Sequence, residues 1–208
     1  MVSPVLEIGS GIGNISHHLL AKLTSVSLSD PEPVCRERLS SRFQGNLSLN
    51  AILDFNVEQD DIHDKLSGKN NEYQTLVAIN VLEHIENDQA AISNMLRCLP
   101  SQGCLILLVP AYPGLFGSLD KAMQHYRRYT PNQLKALFDE HDGRLIHLTY
   151  FNALGILGWW LFAKCFKFKH IPSWQIRQFE YMMPVVKGLD KLLHHWMGLS
   201  LIAVFQKD

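Results

Sequence analysis

At 208 residues, 47% apolar and 19% charged, the chain can bury one substantial core, and neither a disordered nor a fibrous class fits it. The net charge of −1 hides an asymmetry, with 7 Lys/Arg against 14 Asp/Glu in residues 1–120 and 12 against 6 in residues 121–208. The acidic first part argues against nucleic-acid binding, and the basic, aromatic-rich second part suits an anionic substrate, a membrane surface or a solvated face.

The first pattern is Val5-Leu6-Glu7-Ile8-Gly9-Ser10-Gly11-Ile12-Gly13-Asn14. Val5, Leu6 and Ile8 predict a buried strand and residues 15–23 a helix, which places the three glycines in the turn between them. Such a turn lets a ligand approach the backbone closely, and the following helix start offers free N–H groups. A dinucleotide fingerprint would need a third glycine where Asn14 stands. Residues 25–29 predict a second strand ending at Asp30, an acid placed to accept hydrogen bonds from ribose hydroxyls, with Glu32 as the fallback and a plain surface aspartate as the alternative. Residues 33–43 read as helical, and residues 47–55 as a third strand ending in Asp54-Phe55, with Asp60 and Asp61 close by.

Thr75 to Ile79 suit a buried parallel strand, with Asn80 at its carboxyl end. Val81-Leu82-Glu83-His84-Ile85 then opens a helix running towards Leu99. His84 belongs to no H-x-x-x-H pair or carboxylate cluster, so no metal site is expected. Leu99-Pro100-Ser101-Gln102-Gly103 is a helix end and turn, and residues 104–110 form a fifth buried strand.

The E-x-G-x-G-x-G turn, the N-V-L-E-H-I block and the L-P-S-Q-G turn before a buried strand occur in the order and spacing of a known family. They resemble the class I S-adenosylmethionine-dependent methyltransferases, type 11/12. Gln102 stands where that family usually has a glycine. The resemblance implies a Rossmann-like α/β fold with a seven-stranded, mostly parallel sheet, helices on both faces and an antiparallel last strand beside strand five. It also implies S-adenosyl-L-methionine as cofactor. Glu7, Gly9, Ser10, Gly11 and Gly13 would line its methionine end, Asp30 its ribose, Asp54 and Phe55 its adenine, and Asn80 and Val81 the strand-four end. The Glu83-His84 pair would then lie near the substrate. Family members usually carry a leading helix over the cofactor, so the implied start lies upstream of Met1.

Residues 111–120 read as a glycine- and aromatic-rich loop containing Tyr112. His125-Tyr126-Arg127-Arg128-Tyr129-Thr130 follows, with Thr130 capping a helix that begins at Pro131. The D-x-x-x-x-H-Y-R-R-Y-T run resembles a bacterial branch of the same family. Arg127 and Arg128, flanked by Tyr126 and Tyr129, either clamp an acceptor carboxylate or phosphate or bridge the loop to Asp120 or the acidic first half. Residues 145–150 predict the sixth strand and residues 198–205 the last. Between them lies an insertion, 151–197. Its apolar start, with Trp159-Trp160 and then Lys164, Lys167, Lys169 and His170, fits a core helix, a lid buried under a helix at 182–196, or an interfacial helix lying on a membrane through residues 151–170. Its apolar stretch is too short to span a bilayer.

The expectation is therefore one domain, with a cofactor-binding half (1–110) and a substrate-side half (111–208). It transfers a methyl group to a small acceptor, anionic or lipid-linked. His84 and His125 are the candidates on the reacting side, and no catalytic base identifies itself. A non-catalytic cofactor-binding module is the alternative, and a nicotinamide-dependent oxidoreductase is disfavoured by Asn14 and by the absence of a Tyr-x-x-x-Lys pair. The scattered Cys35, Cys98, Cys104 and Cys165, without a C-x-x-C pair, and the lack of a signal peptide point to the cytoplasm, with the inner membrane face as the peripheral option.

Overall fold

Seven strands form one sheet in the order β3-β2-β1-β4-β5-β7-β6 in the computed structural model, which describes residues 1–58, 66, 73–165, 188, 193 and 196–208. The strands are β1 (Val5–Ile8), β2 (Val26–Ser29), β3 (Leu49–Leu53), β4 (Thr75–Ile79), β5 (Cys104–Pro110), β6 (Gly143–Phe151) and β7 (Ser200–Lys207). The first five pair in parallel, and β7 runs antiparallel between β5 and β6. Every residue of β1 and β2 is buried, as expected of parallel strands covered on both faces.

The pleat sends alternate residues to opposite faces and builds two cores. Leu6 and Ile8 join Leu76, Leu105, Leu107 and Phe205 in the larger one. Val26 and Leu28 join Leu19, Leu20, Leu39 and Phe43 from helices α1 (Ser16–Lys22) and α2 (Pro33–Arg42) in the smaller one. Strand order reverses between β1 and β4, and in open α/β sheets the crevice at such a switch point, beyond the carboxyl ends of the strands, receives ligands. The glycine turn follows β1 and Asn80 follows β4, so both stand at that crevice.

The stretch expected as one helix from Val81 to Leu99 is divided. A 3-10 turn, Leu82–His84, precedes α3 (Asp88–Arg97). Asn87 makes the break: its side-chain oxygen accepts the Ala90 N–H and restarts the helix as an N-cap. The segment expected as a loop after β5 holds a 3-10 turn, Pro113–Leu115, and a short helix α4 (Ser118–Ala122). Helix α5 (Pro131–Ala136) begins as expected, with Thr130 and Gln133 forming a reciprocal capping box.

Past β6, helix α6 (Gly155–Trp159) passes into a π-helical turn, Trp160–Cys165. Ala163 is buried on α4, where its carbonyl accepts the Ser118 hydroxyl, while Leu157 and Trp160 are exposed. No helix among the described residues is long and apolar enough to cross a membrane. Asp60, Asp61, Lys167, Lys169, His170 and most of the helix expected at 182–196 lie outside the described residues.

Candidate functional site

Two groups of residues meet the crevice. In the first, Gly9, Gly11 and Gly13 all have positive φ (67°, 54° and 83°). A Cβ on Gly9 would lie 2.5 Å from Val81 Cγ2, and one on Gly13 would lie 2.6 Å from Phe43 Cε2. A Cβ on Gly11 would meet nothing within 4 Å among the described residues. Gly9 and Gly13 are thus packed against the protein, whereas Gly11 turns its bare face to open space.

Asp30, buried at the end of β2, ties this turn together. One carboxylate oxygen accepts the Gly11 N–H at 2.8 Å and the other the Glu32 N–H at 3.0 Å, leaving further lone pairs for a ligand. Ser10 Oγ donates to the Glu7 carbonyl. The Glu7 side chain is buried and takes the Ser16 hydroxyl. Burial raises its carboxyl above the ordinary range, against the lowering effect of the Ser16 and Ser10 hydroxyls. Asn80 is exposed with φ 53°, and Val81 lies against Gly9. Asp54 is exposed and pairs with Arg36 at 2.9 Å. The Phe55 ring is buried in the larger core.

The second group stands around the 3-10 turn after β4. The Glu83 carbonyl accepts the Tyr126 N–H at 2.8 Å, which pins the 120–129 segment to the 3-10 turn after β4. That bond brings His84 and His125 edge to face, with ring centroids 4.6 Å apart. Glu83, His84 and His125 present ligand atoms that all lie within 4.8 Å of one another. Glu83 is 1% exposed, and its Oε2 has no hydrogen-bond partner among the described residues. Burial pushes its carboxyl up to about 7, and burial followed by the neighbouring His125 pulls the His84 ring down.

Asp120 organises the far side of this cluster. It accepts from Arg128 Nε at 2.7 Å, stands 3.1 Å from His125 Nδ1 and caps the Gly117 N–H. Burial pushes the Asp120 carboxyl up, but the His125, Arg128 and Gly117 contacts outweigh it and hold it below its ordinary value. Arg128 is buried, donates to the Ala111 carbonyl and lies 4.4 Å over the Trp159 ring. Arg127 pairs with Asp88 and donates to the Glu86 carbonyl. Of the two readings of these arginines, the bridging geometry is therefore the one observed. Tyr129 is buried, with its hydroxyl on Asp88. Tyr112 stacks on Tyr150, and burial together with that neighbour raises its phenol to about 12.

Beside Tyr112 opens an apolar cleft of about 460 Å³, lined by Tyr112, Pro113, Gly114, Leu115, Ile156 and Met197. Sequence reasoning reached Glu83 only as half of the Glu-His pair near the substrate, and Asp120 only as a bridging partner for the arginines. Both lay inside the quoted motifs, but only the fold of the 120–129 segment shows that they share one cluster.

The sequence matches a family model described as a methyltransferase domain over residues 2–183. No curated protein is similar enough in sequence to match. Among solved structures, the chain resembles the CurJ carbon methyltransferase at 15% identity and TM-score 0.62, covering 97% of this chain and 47% of that one. It resembles the StiE O-MT domain at 16% identity and TM-score 0.60, covering 98% and 67%. It also resembles the N-methyltransferase NodS from Bradyrhizobium japonicum WM9, in complex with S-adenosyl-L-homocysteine, at 12% identity and TM-score 0.58, covering 98% and 76%. At these identities the likeness shows the fold alone.

Proposed function

This chain belongs to the methyltransferase-domain family, as an S-adenosylmethionine-dependent enzyme of class I, and we propose that its acceptor is a small polar group carried on an apolar, lipid-like body. The cleft beside Tyr112 carries this reading. Its lining among the described residues is entirely uncharged, and pockets of this kind bind ligands through apolar area with a few polar groups fixing orientation. An anionic acceptor loses its main support, because both candidate arginines are already paired within the protein.

The cofactor residues are assigned on the same footing. Gly11 leaves room for a ligand against its backbone, Asp30 at the end of β2 takes the ribose hydroxyls, and Asn80 and Val81 border the crevice from β4. Gly9, Ser10 and Gly13 shape the turn, Glu7 braces it from beneath, and exposed Asp54 is the candidate at the adenine end. The bound cofactor supplies an already activated methyl group on its sulfonium. What the chain itself contributes is orientation. It holds the acceptor atom in line at about 3–3.5 Å and keeps water out. His84 and His125 stand together beside the strand-four end and are the candidates to meet the acceptor's polar group.

The test is transfer of labelled methyl to an isoprenoid-chain acceptor and to the same head group without its chain. At least a tenfold higher kcat/KM for the chain-bearing acceptor is expected, and equal values would overturn the apolar reading.

A further inference from the structure

Glu83, His84 and His125 form a mixed nitrogen and oxygen donor set that no step above requires. Two histidines and one carboxylate are a common three-residue set for a catalytic divalent metal, which keeps its remaining positions for water or substrate. The three ligand atoms lie within 4.8 Å of one another, whereas donors around a shared cation sit about 3–3.5 Å apart. Side-chain movements of about an ångström close that difference, and His84, whose ring is partly open to solvent beside His125, has room to make one.

Two independent features indicate that the cluster awaits a ligand. The first is Glu83 Oε2, an oxygen sealed from solvent with no partner among the described residues, on a residue 1% exposed. Burying such a group without a hydrogen bond or counter-charge is costly. The second is the support behind His125. Its Nδ1 stands 3.1 Å from Asp120, which leaves Nε2 as the free nitrogen and fixes the ring. A carboxylate behind a histidine is the usual outer support of a metal-binding imidazole. Asp120 is itself held by Arg128 and the Gly117 N–H, so this support is rigid. The charges agree as well. The buried carboxylates of Glu83 and Asp120 face one buried guanidinium, Arg128, and Arg127 is already matched with Asp88.

We propose that Glu83, His84 and His125 bind a first-row divalent transition-metal cation, with Asp120 as the positioning residue behind His125. Imidazole nitrogen favours zinc, cobalt or nickel over magnesium or calcium. The 3-10 turn that carries Glu83 and His84 directly follows Asn80 and Val81, so the cation stands beside the cofactor crevice. Taken with the methyltransferase reading, on which this last point rests, the open metal positions would hold an oxygen of the acceptor.

The test is calorimetric titration of the full chain with zinc chloride, run in parallel with S-adenosylhomocysteine. One zinc per chain at micromolar or tighter affinity is expected. His84→Gln and His125→Gln should each weaken it at least 100-fold, and Glu83→Gln at least tenfold. His17→Gln, at an exposed histidine beside His18, should leave it unchanged and so excludes adventitious surface binding. His84→Gln alters an exposed side chain, and retained S-adenosylhomocysteine affinity would show that it folds. Absent stoichiometric zinc binding, zinc lost only with His17, or zinc retained in both His84→Gln and His125→Gln would overturn the proposal. S-adenosylhomocysteine binding without zinc binding would sink the metal site and leave the methyltransferase reading standing.

Discussion

A side chain on Gly11 would meet open space, whereas one on Gly13 would run into the Phe43 ring of the smaller core. Two replacements in one turn should therefore behave differently. Gly11→Leu pays only the left-handed backbone strain, about 1–2 kcal/mol, yet should abolish S-adenosylhomocysteine binding by filling the ligand face. Gly13→Ala adds overpacking to similar strain and should lower unfolding free energy by about 2–4 kcal/mol in urea titrations. Equal stability losses in the two variants would contradict this division. Glu7 offers a second check. Its folded carboxyl is raised by burial, so the folded state binds more protons than the unfolded state above the ordinary carboxylate range. That contribution to stability is full below the ordinary range and is lost as pH rises through the raised value. In the ligand-free chain, Glu7→Gln should flatten this fall, as measured by denaturation at several pH values; an unchanged slope would remove Glu7 as its source.

At the scale of elements, the strap from α4 to Tyr129 depends on Asp120. Removing one partner of a buried ion pair strands the other charge, so Asp120→Ala should cost about 3–5 kcal/mol of stability. Arg128→Met strands the Asp120 carboxylate in turn, but that group keeps His125 Nδ1 and the Gly117 N–H, so this variant should cost less than Asp120→Ala, and denaturant midpoints would show whether that order holds. The elements also show what sequence reading reaches. Buried runs such as Thr75–Ile79 and Cys104–Pro110 declare themselves, because a strand covered on both faces has little freedom in composition. Thr130-Pro131 announced a helix start that the capping box confirms. The break after Ile85 was also written locally, in Asn87-Asp88, but the apolar periodicity through Val81–Leu99 masked it. The meeting of His125 with Glu83 was not legible. It depends on one long-range backbone bond, from Tyr126 to Glu83, that no local pattern encodes.

At the scale of the molecule, the sheet places the glycine turn, Asp30 and Asn80 at one crevice, with the apolar cleft built from segments after β5 and β6. On the proposed assignment, cofactor and acceptor draw on separate parts of the chain, so the two can be perturbed separately. Leu115→Asp puts a charge into the cleft and should raise KM for a chain-bearing acceptor at least tenfold, with S-adenosylhomocysteine affinity within twofold of the parent. An unchanged KM would move the acceptor elsewhere. The most direct test of the whole account is calorimetric titration of the chain with S-adenosylhomocysteine, repeated on Asp30→Ala after a thermal melt shows that the variant is folded. The expected result is one site of micromolar affinity that the substitution weakens at least tenfold. Equal affinity in a folded Asp30→Ala variant, or no binding by the folded parent chain, would contradict the assignment of the cofactor to this crevice.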